Sequence, residues 1–234
     1  MIKALLTIDD IASENTPAIV DFLVDKGIPA IMFAWGENVE RYPEAAVYAL
    51  KNGIIVGNHS YSHPQFSELS FDECKAEIEK CELILDNIYQ RAGVERKYRP
   101  FRFPYGNKGG DKKELLQKYL SDNSFDKVDD TKITFASWKE GGLDKDIDTY
   151  WTFDFAEYNI RKGSGFTKED VIKRIHFVNP DSGEGLLVDG THHLLLLHAH
   201  DETEELVPEY YKTFLNILLD NGVEFIKPEF IKAQ

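Results

Sequence analysis

The sequence is short of cysteine, of positive charge and of long apolar runs, and each shortage removes a class of protein. Cys74 and Cys81 are its only two cysteines. They lie seven residues apart in what reads as one helix, which separates them by ~10 Å, beyond the reach of a disulfide. Both are therefore expected to pack as small apolar side chains. Lys and Arg number 27 against 41 Asp and Glu, a formal charge of −14. A nucleic-acid surface needs clustered basic side chains to meet phosphates, so that partner is not expected. An acidic surface suits a neutral or cationic ligand, and serves solubility equally well. No stretch approaches the ~20 consecutive apolar residues of a membrane span. The first apolar run, residues 2–8, leads straight into charged residues without a leader pattern. A cytoplasmic protein is expected if the chain starts here, and a secreted or periplasmic one if a leader has been removed.

What is present is a steady alternation of short apolar runs and longer amphipathic stretches. Runs at 2–8, 30–34, 54–56, 98–103, 150–153, 193–197 and 223–226 read as strands. The first helix opens at Thr16 and Pro17, with N-cap and N1 chemistry, and closes at Gly27. A second lies around 43–52 and stops at Gly53. Ser70 and Glu73 form a capping-box pattern before a long helix that ends near Gly93. Further helices are expected around 112–120, at 167–175 with a second box at Thr167 and Asp170, and at 208–219 with Asn221-Gly222 as the stop. The stretch 121–148 is polar and without a clear period. Such alternation implies a mostly parallel sheet with helices outside it. In a (β/α) barrel the carboxyl ends of the strands share one rim, and the polar candidates lie just past strand ends. There is no internal repeat, low-complexity segment or Pro/Gly linker, so residues 1–234 are expected to form a single domain.

Five segments carry chemistry, and each also has a plain structural reading. His59 and His63, four apart, can meet one cation on a helical face or tight loop, or simply sit at a surface or cap. Asp9-Asp10 ends an apolar strand, where adjacent acids are costly unless a cation or donor receives them. One could ligate a metal while its neighbour acts as a base; a turn or helix cap is the alternative. Arg102, in Arg102-Phe103-Pro104-Tyr105-Gly106, leaves an apolar strand and implies a carboxylate partner, for catalysis or for a structural ion pair. The Pro-Tyr-Gly turn can present a backbone N–H to an oxyanion, or Tyr105 can be packing. Trp151 in Trp151-x-x-Asp154-x-x-Glu157-Tyr158 reads as core or as a sugar-stacking platform. His198 in Leu195-Leu196-Leu197-His198 reads as catalytic or as a satisfied structural histidine, with His192, His193 and His200 close by.

In this order the five segments resemble the polysaccharide deacetylase family, the fourth carbohydrate esterase family or NodB-homology domain. The family pattern runs Thr-Phe-Asp-Asp, His-(Ser/Thr)-x-x-His, Arg-x-Pro-Tyr-Gly, a Trp/Asp segment and Leu-x-x-His. Here it reads Thr7-Ile8-Asp9-Asp10, His59-Ser60-Tyr61-Ser62-His63, Arg102 to Gly106, Trp151 to Tyr158, and Leu195 to His198. Gly57-Asn58 and Tyr42-Pro43-Glu44 also look like the family.

The resemblance implies a distorted (β/α) barrel, with seven parallel strands expected and outer helices, and one divalent ion, commonly zinc. Asp10, His59 and His63 would hold the ion. Asp9 would be the general base, oriented by Arg102, and His198 the general acid. Tyr105, Trp151 and Leu196 would meet substrate. The fourth motif usually ends Asp-Trp where this chain has Glu157-Tyr158, so Asp154 and Glu157 both stand as the carboxylate that steers His198 or Arg102. The implied activity is removal of acetyl groups, N-acetyl first, from a glycan such as chitin oligomers or peptidoglycan. O-deacetylation of a xylan-type polymer, hydrolysis of a small C–N substrate, and a non-catalytic glycan-binding domain are the alternatives. The loops at 107–148 and 155–192 do not read out a substrate.

Overall fold

β1 (Lys3–Ile11) is buried at eight of its nine positions, as a parallel strand covered on both faces should be. This and the rest of the architecture come from a computed structural model, which describes residues 1–177 and 185–231. Residues 178–184, part of the expected loop 155–192, lie outside that range. After β1 come α1 (Thr16–Lys26), β2 (Ala30–Ala34), α2 (Gly36–Arg41), α3 (Pro43–Lys51), β3 (Ile55–Asn58) and α4 (Phe71–Ala92). The second half holds α5 (Lys113–Asp122), β4 (Lys127–Val128), α6 (Ala136–Glu140), β5 (Phe153–Asp154), α7 (Lys168–His176) and β6 (His192–His198). Last are α8 (Asp201–Leu206), α9 (Tyr210–Asp220), β7 (Glu224–Phe225) and β8 (Phe230–Ile231).

The main sheet runs β3-β2-β1-β6-β5, with β7 also on β1, and every pairing in it is parallel. Residues around Phe101 close it into a ring. Asn58 N–H donates to the Pro100 carbonyl, Arg102 N–H to the Asn58 carbonyl, and Thr149 N–H to the Phe101 carbonyl. The chain then passes into β5, beside β6. The result is the distorted (β/α) barrel that the family resemblance implied, built on the mostly parallel sheet that the alternation implied. β7 takes only the first residues of β1, at Lys3 and Ala4, while β2 takes over from Leu6.

Local chemistry explains the helices. α4 begins with a complete capping box, Ser70 accepting from Glu73 N–H and Glu73 from Ser70 N–H. It ends at Gly93, whose φ of 70° is the left-handed C-cap. Cys74, Ile78, Cys81, Leu85 and Ile88 are its buried stripe, and both cysteines are free and buried as expected. α1 ends at a left-handed Gly27, but its N-cap position is Asn15, whose side chain makes no capping bond, and not Thr16. Thr16 instead accepts from Ser13 N–H.

Elsewhere the structure differs from the sequence expectation. The strand expected at 98–103 is a single bridge, Asn58 to Phe101, because Pro100 has no N–H for a ladder. The strand expected at 150–153 is the shorter, later β5. The polar stretch 121–148 supplies β4, which pairs antiparallel with β8, and α6. α2 and α8, each six residues long, were not anticipated. Among the described residues no helix is long and apolar enough to cross a membrane.

Gly57 is where the ring is tightest. A Cβ there would lie 2.7 Å from the Pro100 carbonyl oxygen and 3.0 Å from the Phe33 ring. Gly57→Ala is expected to lower stability by ~1–3 kcal/mol through overpacking, measured by urea unfolding. An unchanged midpoint would mean that the Pro100 segment moves freely.

Candidate metal-binding and acid–base site

The carboxyl ends of β1, β3, β6 and the segments after Phe101 and β5 converge on a cleft of about 400 Å³. Asp9 and Asp10, at the end of β1, are 3 % and 4 % exposed. They do not share an orientation. The pairing of β1 with β2 shifts register between Ile8 and Ile11, and Asp10 has φ of 66°, so consecutive carboxylates reach different partners.

Asp9 meets Arg102. The guanidinium Nη1 donates to Asp9 Oδ1 at 2.7 Å and to the Thr7 hydroxyl at 2.8 Å, and Nε donates to the Thr149 carbonyl at 2.9 Å. Its flat face lies over the Phe33 ring, 4.5 Å from the centroid. Arg102 is fully buried, so the partner implied by the sequence is present and fixed.

His59 and His63 come from the loop after β3, which α4 holds. Glu77 accepts from Tyr61 N–H, Ser62 N–H and the Ser62 hydroxyl. Asn58 accepts from Ser60 N–H and donates to Glu82, itself neutralised by Arg96 and Arg99. The His59 ring places Nδ1 2.8 Å from the Arg102 carbonyl. A carbonyl only accepts, so Nδ1 carries the proton and Nε2 presents a lone pair. Burial pushes the His59 pKa down to about 4, aided by His63 and opposed by Asp9 and Asp10, so the ring is neutral at neutral pH.

That lone pair faces acceptors. His59 Nε2 is 3.4 Å from Asp9 Oδ2 and 3.6 Å from Asp10 Oδ1, and His63 Nε2 is 3.2 Å from Asp10 Oδ1. Asp10 Oδ1 is buried without a hydrogen-bond donor. Burial alone would raise the Asp10 pKa, but the hydrogen bond from His200 and the nearby His63 and His59 imidazoles hold it well below the usual range. Donor atoms of Asp10, His59 and His63 all lie within 4.8 Å of one another. A buried anionic oxygen facing two imidazole nitrogens suits a divalent cation of the kind bound by His and carboxylate. The residues present therefore fit the group that the sequence implied.

His198 ends β6 opposite this cluster. Glu157 Oε1 accepts from the His198 backbone N–H at 2.5 Å and lies 3.1 Å from Nδ1. Burial would lower the imidazole pKa, but the Glu157 carboxylate, with help from Asp10 and Asp154, lifts it to about 10. Of the two carboxylates left open by the sequence, Glu157 is the one on His198. Asp154 instead accepts from Ala156 N–H and the Tyr158 hydroxyl, with its pKa raised by burial and by Glu157. Neither steers Arg102, whose hydrogen-bonded carboxylate is Asp9.

Tyr105, Trp151 and Leu196 all line the cleft. Tyr105 stands exposed at its edge, its ring edge-on to His63 at 4.5 Å. Trp151 is half-buried and stacked on Tyr150. Three further residues at the cleft were given no role by the sequence reading. Trp35 stacks on His63 at 4.6 Å, Tyr158 lies edge-on to His198 at 4.9 Å, and His200 contacts Asp10. Trp35 directly follows β2, and the strand-end rule applied to every strand would have flagged it.

The sequence model of the polysaccharide deacetylase family matches residues 2–121, and the chain belongs to this family. A peptidoglycan-N-acetylglucosamine deacetylase of Bacillus cereus is 38% identical over 119 residues, covering 50% of this chain and 39% of that protein. The chain thus matches well under two thirds of that relative's length. Among solved structures, the peptidoglycan deacetylase PdaC from Bacillus subtilis superposes with a TM-score of 0.61 at 23% identity, over 96% of this chain and 87% of that one. A pseudoenzyme of the same carbohydrate esterase family, from Bacillus anthracis, superposes with a TM-score of 0.59 at 20% identity, over 95% and 62%. The fold is thus shared by catalysts and a pseudoenzyme alike.

Arg102→Met strands the Asp9 carboxylate in a dry site and is expected to cost ~3–5 kcal/mol. Adding Asp9→Asn should restore much of that. Chemical unfolding of the two variants checks it, and equal losses in both would place the Arg102 contribution in packing.

Proposed function

We propose that this chain is a metal-dependent hydrolase that removes acetyl groups, N-acetyl first, from a glycan such as chitin oligomers or peptidoglycan. One observation carries this reading: a cation-ready oxygen on Asp10 lies in one cleft with the Arg102-held carboxylate of Asp9 and the Glu157-held imidazole of His198. Asp10, His59 and His63 are the ligands in this reading. When bound, a divalent cation, zinc by preference for this donor set, would supply a Lewis acid for the acyl oxygen and the attacking water.

The remaining chemistry belongs to the side chains. Asp9, fixed by Arg102, takes the proton given up by water as it adds to the acyl carbon. The turn at Tyr105 is the chain's own source of a backbone donor for the developing oxyanion. His198 then donates its proton to the amine nitrogen as the C–N bond breaks, leaving acetate and a free amine. An amine leaves poorly unless protonated, and a histidine kept cationic to high pH suits it better than an alkoxide, which needs less help. That favours N-acetyl over O-acetyl substrates. Stacking against Trp151 and contact with Tyr105 and Leu196 suit the apolar face of a sugar ring. The pseudoenzyme reading has less support, because metal, base and acid positions are all filled by competent side chains.

Acetate release from zinc-loaded protein tests the proposal, using N-acetylglucosamine oligomers, peptidoglycan fragments and acetylated xylo-oligosaccharides. Release from the first two is expected. Release from the xylan series alone would make it an ester hydrolase, and none from any would make it a binding domain. Glu157 gives a second test. With its folded pKa raised, His198 is protonated through neutral pH and loses its proton as pH rises through about 10. In Glu157→Gln the basic limb of the kcat profile should fall ~1–3 pH units earlier, and an unmoved limb would remove His198 as the acid.

A further inference from the structure

The two oxygens of the Asp10 carboxylate are used differently. Oδ1 faces the Nε2 atoms of His63 and His59 and has no donor of its own. Oδ2 lies 2.6 Å from Nε2 of His200. His200 is outside the group of mutually close donor atoms formed by Asp10, His59 and His63. Its nitrogen therefore meets the far oxygen and not the point on which the other two imidazoles converge.

We infer that His200 is a positioning residue that donates to Asp10 Oδ2, so that Asp10 offers a single oxygen, Oδ1, to the cation. This rests on the reading of Asp10, His59 and His63 as the ligands. A carboxylate with both oxygens free can chelate a cation through both and occupy an extra coordination position. With Oδ2 engaged by an N–H, one position stays available for water and the acyl oxygen, which a catalytic site must keep open.

The surroundings hold His200 to this task. The Asp10 main chain is left-handed and its carbonyl accepts from Asn38 at 3.1 Å, which sets the backbone but leaves the carboxylate to be oriented from outside. His200 comes from a loop tied to the loop after β1. The neighbouring Asp201 carboxylate accepts from Glu14 N–H and Asn15 N–H, both at 3.1 Å, and Ala199 N–H donates to the Asp9 carbonyl at 3.0 Å. The His200 carbonyl accepts from Glu204 N–H at 3.1 Å inside α8. The two ends of the Asp10–His200 contact are thus carried on adjacent parallel strands, β1 and β6, whose trailing loops are cross-linked.

Zinc affinity of chelator-stripped protein tests this, by competition with a chromophoric chelator and alongside a thermal melt. X-ray absorption then counts the imidazoles bound to the zinc. Wild-type protein is expected to bind zinc through two imidazoles. His200→Ala should weaken zinc binding by about 10–100-fold at an unchanged melting temperature of the metal-free protein. His200→Gln, whose amide can still donate, should recover most of the loss. Three imidazoles on the zinc would make His200 a ligand and overturn the inference. So would affinity in His200→Ala equal to wild type, or no rescue by glutamine. If wild-type protein binds no zinc, the ligand reading itself falls, and this inference with it.

Discussion

Two neighbouring carboxylates are buried at the end of the central strand, and the rest of the molecule is arranged around that fact. Asp9 and Asp10 are almost inaccessible, and an ion pair of this kind broken by loss of one partner costs several kcal/mol. Their partners come from far along the chain. Arg102 reaches Asp9 from the segment after α4, 93 residues on. His59 and His63 come from the loop after β3, and His200 from the loop after β6. A parallel barrel satisfies this because it gathers strand ends at one rim. The closure at Phe101 matters most, since the bond from Arg102 N–H to the Asn58 carbonyl sets the partner of Asp9 and the histidine loop in one register.

The rim is where the backbone departs from regular geometry. Among the described residues, seven non-glycine residues have positive φ, and Asp10, Ser60, His63, Tyr105 and Ala156 are five of them. Such conformations cost of order 1–3 kcal/mol each and persist only where the surroundings impose them. The surroundings here are outer helices. α4 supplies Glu77 to the histidine loop and Glu82 to Asn58, so a helix with no residue in the cleft fixes the angle at which two imidazoles enter it.

Much of this was legible in the sequence, for local reasons. Periodicity, the Ser70–Glu73 box and the glycine stops located α1, α3, α4 and α5 to within a residue or two. The apolar runs located β1, β2, β3 and β6. The five motifs brought forward the residues that the structure gathers. What escaped was decided by contacts distant in sequence. β5, at two residues, is too short for a period to place it, and β4 exists because β8 pairs with it. The choice between Asp154 and Glu157 turned on a three-residue turn that starts at left-handed Ala156 and folds Glu157 back onto His198. Spacing could not separate His198 from His200. They are two apart, yet one meets Glu157 and the other Asp10.

Charge accounting then points to the candidate metal site without reference to motif. Asp9 is matched by Arg102 and Glu157 by His198, each pair buried and hydrogen-bonded. The second acidic cluster, Asp154 with Glu157 and His198, already contains its cation, because the Glu157 carboxylate keeps His198 protonated. A metal there would have to displace that proton. Asp10 differs. Among the described residues its ion-pair partners are imidazoles only, and one of them, His59, is held neutral by burial. Among the described residues no guanidinium or ammonium pairs with it, and Oδ1 is buried without a donor. A buried carboxylate in that condition raises its pKa and takes a proton, or receives a cation. The imidazoles of His200 and His63 hold its pKa down, so the cation of the proposed function is the partner that this charge lacks.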